Sequence, residues 1–262
     1  MEELKFEVDW DLVKKTTLWN YEDLIEKIRK VFSYTFIQKD YNHSMKVARD
    51  YVLGLLGYDP KYAEYISKLS TVFERLDDLN IRNYTELVLQ VENREKCEKF
   101  LQQTEISFSD LISTLNYMFR WVLPFRNVYL RQLIDVSNEA HMGYIKKLRE
   151  HTITFNLDIL ERGRTKKGRT KLSKETWIPE TFILDLVNRA DLTRLPYMSK
   201  KTVGHLCSAG YDTLGKLARV DVGKLKEDMK SYFEKEGIRL GSFIDLAGLV
   251  AWAKAVPKIV EI

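Results

Sequence analysis

The sequence predicts an all-α protein, and three observations carry that expectation. Only five prolines and twelve glycines punctuate 262 residues, whereas a sheet-rich chain needs more turn residues. Apolar residues recur at three- and four-residue intervals over long stretches, the spacing of a helix face. The chain also overlaps itself when shifted by 72 residues, and internal self-similarity marks repeated supersecondary units. With 45% apolar and 31% charged residues, it has the balance of a folded globular protein, and its length points to two domains rather than one.

The first third reads as a bundle of helices. Asn20 is placed to cap a helix over "YEDLIEKIRKVFSYTFI", where Leu24, Ile25, Ile28, Val31, Phe32 and Phe36 fall on one face and Asp23 sits in the first turn. A second helix is expected from Tyr41 to Leu56, stopped at Gly57. Asp59-Pro60 then starts a third, with Tyr62, Ile66, Leu69, Phe73 and Leu76 on its buried side.

The 72-residue shift lays the segment beginning at Leu76 over the segment beginning at Leu148 without gaps. Leu76 meets Leu148, Ile81 meets Ile153, Leu87 and Val88 meet Ile159 and Leu160, Asn116 meets Asn188, and Leu123-Pro124 meets Leu195-Pro196. The expected organisation is therefore an N-terminal bundle over 1–75, a first repeat over 76–147, and a second repeat with closing helices over 148–262.

Within the second repeat, "LTRLPYMSKKTVGHLCSAGYDTLGKLA" reads as helix, tight hairpin after Pro196, helix, and a further helix. In its last part Gly210 ends a helix in the left-handed conformation, Asp212 or Thr213 caps the next, and Leu214 and Leu217 point inward. This stretch resembles the helix-hairpin-helix pattern. From Ile153 to Val260 the chain is similar to an uncharacterised prokaryotic family known only as a domain of unknown function and built from tandem units of that kind. The matching pieces are "LERGRTKKGRTKLSKET", "LVNRADLTRL", "AGYDTLGKLA" and "WAKAVPKIVEI". Related units occur in archaeal recombinases and in the bacterial RNA polymerase alpha subunit, so the resemblance implies tandem helix-hairpin-helix-like units and a tendency to bind DNA or protein. The chain departs from the DNA-binding form at the turn, where Tyr197, Met198 and Ser199 stand in place of Gly-hydrophobic-Gly. A tyrosine is costly there if the first position needs a positive φ.

Charge supplies the functional expectation. "ERGRTKKGRTKLSK", Glu161 to Lys174, holds seven cations in fourteen residues, and from Arg162 to Lys201 there are eleven Lys and Arg against four Asp and Glu. The counterpart in the first repeat, "QVENREKCEKFLQQ", has mixed charge, so the fold does not require the excess. Arg162, Arg164, Lys166, Lys167, Arg169 and Lys171 are candidates for phosphate contact, with Tyr197, Met198, Ser199, Lys200 and Lys201 as a second contact at the hairpin. The expected function is a noncatalytic nucleic-acid-binding or chromosome-associated protein, DNA favoured over RNA. The alternative is a protein-interaction adaptor using the same surfaces, which the missing hairpin glycines favour.

Other classes lack motifs. His43, His141, His151 and His205 are isolated, and Cys97 and Cys207 fall in no metal-ligand spacing. No GxxxxGK[ST] or GxGxxG occurs, so no catalytic residue, metal or cofactor is expected. The longest nearly apolar run, "LAGLVAWA", is too short to cross a bilayer. The acidic opening "MEELKFEVDW" does not read as a signal peptide, and a cytoplasmic location is expected.

Overall fold

A computed structural model describes residues 8–238 and 245–262 of the chain. Most of the opening decapeptide, residues 1–7, lies outside the described residues. The described residues form sixteen α-helices and no strand, and no helix among them is long and apolar enough to cross a membrane. The chain divides into two compact units, one ending at Phe125 and one beginning at Arg126. The boundaries expected from the sequence at residues 75 and 147 both fall inside helices, Ala63–Asp78 and Glu139–Glu150.

The first unit contains α1 (Asp11–Thr17), α2 (Tyr21–Val31), α3 (Thr35–Asp40), α4 (Met45–Leu56), α5 (Ala63–Asp78), α6 (Tyr84–Gln90), α7 (Arg94–Gln103) and α8 (Phe108–Tyr117). Asn20 caps α2 by accepting the Asp23 N–H at 2.7 Å. The single helix expected to run on to Ile37 is broken at Ser33-Tyr34. Ser33 Oγ donates back to the Lys30 carbonyl at 2.7 Å, and the Gln38 amide donates to the Phe32 carbonyl at 2.8 Å, so side chains satisfy the carbonyls a continuous helix would have paired. The next helix starts later than expected because Ser44 caps it, accepting the Val47 N–H. A 3-10 turn at Pro60–Tyr62, capped by Asp59, precedes α5. α4 and α5 pack along each other and α5 also packs on α8, burying Met45, Val52, Leu69, Phe73 and Leu76.

The second unit contains α9 (Glu139–Glu150), α10 (Asn156–Gly163), α11 (Lys166–Thr176), α12 (Glu180–Leu192), α13 (Lys200–Ser208), α14 (Leu214–Arg219), α15 (Val222–Lys235) and α16 (Leu246–Ala255). α10 packs against α11 and α12, and α14 against α16. Gly163 makes the α10–α12 approach possible, since a Cβ there would lie 2.9 Å from a Val187 methyl.

Two helix ends 72 residues apart have the same backbone geometry. In the first copy Asn80 has φ +59 and the Ile81 N–H donates to the Leu76 carbonyl at 3.0 Å. In the second, 72 residues on, Thr152 has φ +63 and Ile153 donates to Leu148 at 3.0 Å. Each is a helix end closed by a left-handed residue and a six-to-one hydrogen bond. The next helix is entered three residues later, at Asn83 and Phe155, with Glu86 accepting the Arg82 N–H and Asp158 the Thr154 N–H. α6, α7 and α8 correspond in this way to α10, α11 and α12. The same junction recurs a third time at Gly210, where Tyr211 donates to the Leu206 carbonyl at 2.8 Å and Thr213 caps α14.

Candidate nucleic-acid interface

The fourteen-residue basic stretch folds as the end of α10, a two-residue corner and most of α11. Its two glycines are packing residues. Gly163 lies against α12, and a Cβ on Gly168 would stand 2.3 Å from the Arg162 carbonyl oxygen. Thr165 caps α11, its hydroxyl accepting the Gly168 N–H at 3.0 Å. The Lys166 N–H is taken by the Glu261 carboxylate at 2.8 Å, while the Glu261 N–H donates to the Arg164 carbonyl at 2.9 Å. A carboxylate from the C-terminal segment thus occupies the start of a helix that has no acid in its own first turn. The Lys166 and Gly168 N–H groups at this helix start are therefore both taken within the protein.

Those side chains divide into two groups. Arg169 is buried, 3% exposed, and points into the corner, where Nη1 donates to the Gly163 and Arg164 carbonyls at 3.3 Å. It caps α10 from the following helix, which corrects its reading as a phosphate contact. Arg164 is half-buried and turned toward Glu161, 3.8 Å away. Arg162 is exposed but bonded to Glu175 at 2.9 Å, and the same carboxylate lies 3.8 Å from Lys171. Lys166 and Lys167 are exposed, and so is Lys174, which sequence reasoning passed over. Lys167, Lys171 and Lys174 share one face at i, i+4 and i+7. Trp177 follows at the helix end, 85% exposed and held at φ +56.

The hairpin candidates lie in the turn between α12 and α13. Tyr197 adopts φ +56, so the first position of the turn is left-handed despite the missing glycine, at a cost of about 1–2 kcal/mol. Its counterpart Phe125 does not adopt it, which distinguishes the two copies. Tyr197 is 50% exposed, its ring 6.3 Å from that of Trp252. Met198 is buried at 1% exposure, which removes it as a contact residue. Its carbonyl is bonded by Arg126 at 3.2 Å. Ser199 caps α13 by accepting the Thr202 N–H at 3.1 Å. Lys200 and Lys201 are exposed in the first turn. The turn is held from below by Arg194, which is bonded through Nε to Asp191 at 2.7 Å and through Nη2 to the Pro257 carbonyl at 3.0 Å.

A second cationic surface was not legible in the sequence. The segment after Arg126 runs antiparallel to residues 154–156. Leu130 donates to Thr154 at 3.0 Å, Asn156 donates to Val128 at 2.9 Å, and the fully buried Asn156 side chain accepts the Val128 N–H at 2.9 Å and donates to Thr193 at 2.7 Å. This pairing sets the Tyr129 and Phe155 rings 4.7 Å apart beside α9. A cleft of about 480 Å³ opens there, lined by these rings, Arg131, Lys146, Arg149 and Ile145 among others, and by no carboxylate. The only sequence signal was the i, i+3 pair Lys146 and Arg149; the rings and Arg131 reach the site through long-range pairing.

Counted over the two compact units, the charges separate. The first carries 17 Lys and Arg against 21 Asp and Glu, the second 25 against 17. The fold and these surfaces define an all-helical protein whose second unit carries the positive excess. Residues 141–256, from α9 to the end of α16, match the family described as a domain of unknown function, DUF4332. No curated protein and no solved structure matches the chain. Tyr129 and Arg131 precede the matched segment.

Proposed function

We propose that the second unit binds nucleic acid through phosphate contacts, as a noncatalytic factor with DNA favoured over RNA. One observation carries the reading. The surface of α11 exposes Lys166, Lys167, Lys171 and Lys174 around two carboxylates, Glu175 and, at the Lys166 N–H, Glu261. Two of these lysines stand at a helix start, where the macrodipole disfavours cations. Lys200 and Lys201, exposed at the head of α13, add two further cations, and Tyr197 in the turn before them has φ +56.

Binding of this kind is governed by counterion release. Neutralising four phosphates predicts roughly a 150-fold loss of affinity between 50 and 200 mM salt. The test is fluorescence anisotropy of labelled duplex DNA, single-stranded DNA and structured RNA across that range, with the intact protein and with Lys166, Lys167, Lys171 and Lys174 changed to Gln. Steep salt dependence that flattens in the variant supports the reading. Absence of binding at 50 mM salt refutes it.

An adaptor role is the second reading, and Trp177 favours it. A tryptophan 85% exposed at a helix end is the type of side chain that anchors protein interfaces. Affinity capture on the wild type and on Trp177→Ser would distinguish the two, since loss of a retained protein in the variant supports the adaptor.

A further inference from the structure

We propose that the cleft beside α9 binds a nucleobase that carries a phosphate, the base lying on Tyr129 and the phosphate held by Arg131, Lys146 and Arg149. The class of ligand follows from the chemistry of the walls. Tyr129 is 44% exposed, with Phe155 tilted against it at a centroid distance of 4.7 Å and the Arg131 guanidinium over its ring, so a flat ligand stacks on Tyr129 by taking the place of the guanidinium as Arg131 turns to the phosphate. Backbone bonds on both sides of Tyr129, from Leu130 to Thr154 and from Asn156 to Val128, hold that platform in place. A preformed aromatic surface stacks any base, because every base has a π face.

The cations complete the site. Arg131 stands with its guanidinium carbon 5.4 Å from the centre of the Tyr129 ring, and Lys146 and Arg149 rise from one side of α9. None of the three is within ion-pair distance of a carboxylate among the described residues. Four other arginines of the unit differ: Arg162, Arg164, Arg189 and Arg194 each have an acidic partner within 4 Å. Three uncompensated cations converging on one cleft repel one another, and an anion relieves that repulsion. Asp158, three residues beyond Phe155, is committed to the Thr154 and Phe155 N–H groups at 3.0 and 2.8 Å and caps α10. About 480 Å³ falls within the usual range of small-ligand sites, about 300–1,000 Å³.

The ligand has two sources, a free nucleotide or one unpaired nucleotide of a strand. The second rests on the nucleic-acid reading above; the first does not. Full-length protein labelled with ¹³C at its methionine methyls separates them, because Met142 lines the cleft and Met198 lies buried under the hairpin. The titrants are adenosine 5′-monophosphate, a twelve-residue oligodeoxythymidylate and a duplex of equal length. The expected result is movement of the Met142 resonance, with Met198 still, on adding the mononucleotide, the single strand, or both. Affinity should then fall at least tenfold in Tyr129→Leu, the order that one stacked base supplies, and also in the triple variant Arg131→Gln, Lys146→Gln, Arg149→Gln. Response to the mononucleotide marks a nucleotide site, and response to the strand alone marks a strand site. If neither ligand moves Met142, or if both variants bind as the wild type does, the proposal is overturned. Duplex binding lost in the α11 lysine variant would still leave the nucleic-acid reading standing in that case.

Discussion

Replacing Arg194 with Met should cost about 3–5 kcal/mol, and the reason lies in where its charge sits. The Arg194 side chain is fully buried, and that of Asp191 is 9% exposed. Nε and Nη2 both reach the same Asp191 oxygen, at 2.7 and 2.5 Å, and Nη2 also holds the Pro257 carbonyl at 3.0 Å. Removing the guanidinium strands a carboxylate in the interior, which is the expensive way to break a buried pair. It also frees a carbonyl of the C-terminal segment, worth about 1 kcal/mol within that total. With a urea slope of about 2 kcal/mol per molar, the midpoint of the second unit should fall by about 2 M. The double variant Asp191→Leu, Arg194→Met should recover most of the loss, because neutral groups of similar size carry no desolvation penalty. Hydrogen-exchange mass spectrometry in urea, read on peptides of α12 and α16, reports the unit directly. The pH dependence is a second signature. Burial raises the Asp191 pKa even with Arg194 pulling it down, and it rises further without the arginine. A carboxyl whose folded pKa is raised binds more protons in the folded state than in the unfolded one. Stability of the single variant therefore falls as pH climbs through the window above the ordinary aspartate value, and its deficit shrinks in acid. A loss under 1 kcal/mol, or a deficit that grows in acid, would refute the reasoning.

Gly168→Ala should destabilise the second unit by about 1–3 kcal/mol although it removes a glycine from a helix, since the new Cβ must displace the Arg162 carbonyl from 2.3 Å; thermal unfolding checks it, and stabilisation by the usual helix-propensity gain of about 1 kcal/mol would contradict it. His43 is half-buried, its ring 4.5 and 5.8 Å from those of Tyr51 and Tyr84, and this desolvation pushes its pKa down to about 4. The unfolded chain therefore takes up a proton that the folded one refuses, and stability of the first unit falls as pH drops from about 6.5 toward 4, by about 2–3 kcal/mol in all. In His43→Phe that part of the acid slope should be absent from urea midpoints measured between pH 7 and pH 4, and an unchanged slope would assign the loss to other groups.

Local chemistry was readable one residue at a time. Asn20, Asp59, Thr213 and Gly210 act where their side chains or conformational freedom predicted, because caps and left-handed turns depend on neighbours within four residues. The matching helix ends at Asn80 and Thr152 lie at the 72-residue spacing over which the hydrophobic pattern recurs. The break at Ser33-Tyr34 was not readable, as it depends on Gln38 reaching back to the Phe32 carbonyl.

What the sequence determined by itself was the helical class and the concentration of positive charge after Glu161, both properties of composition and period. What only the tertiary structure decided was which charges face solvent. Arg169 and Lys167 are two residues apart in one run, yet the first is turned into the α10–α11 corner to satisfy two carbonyls while the second is exposed. The same holds for the cleft, where Tyr129 and Phe155 meet across 26 positions through backbone pairing. Helix orientation and long-range hydrogen bonds set those outcomes, and neither has a signature in the order of residues along a single segment.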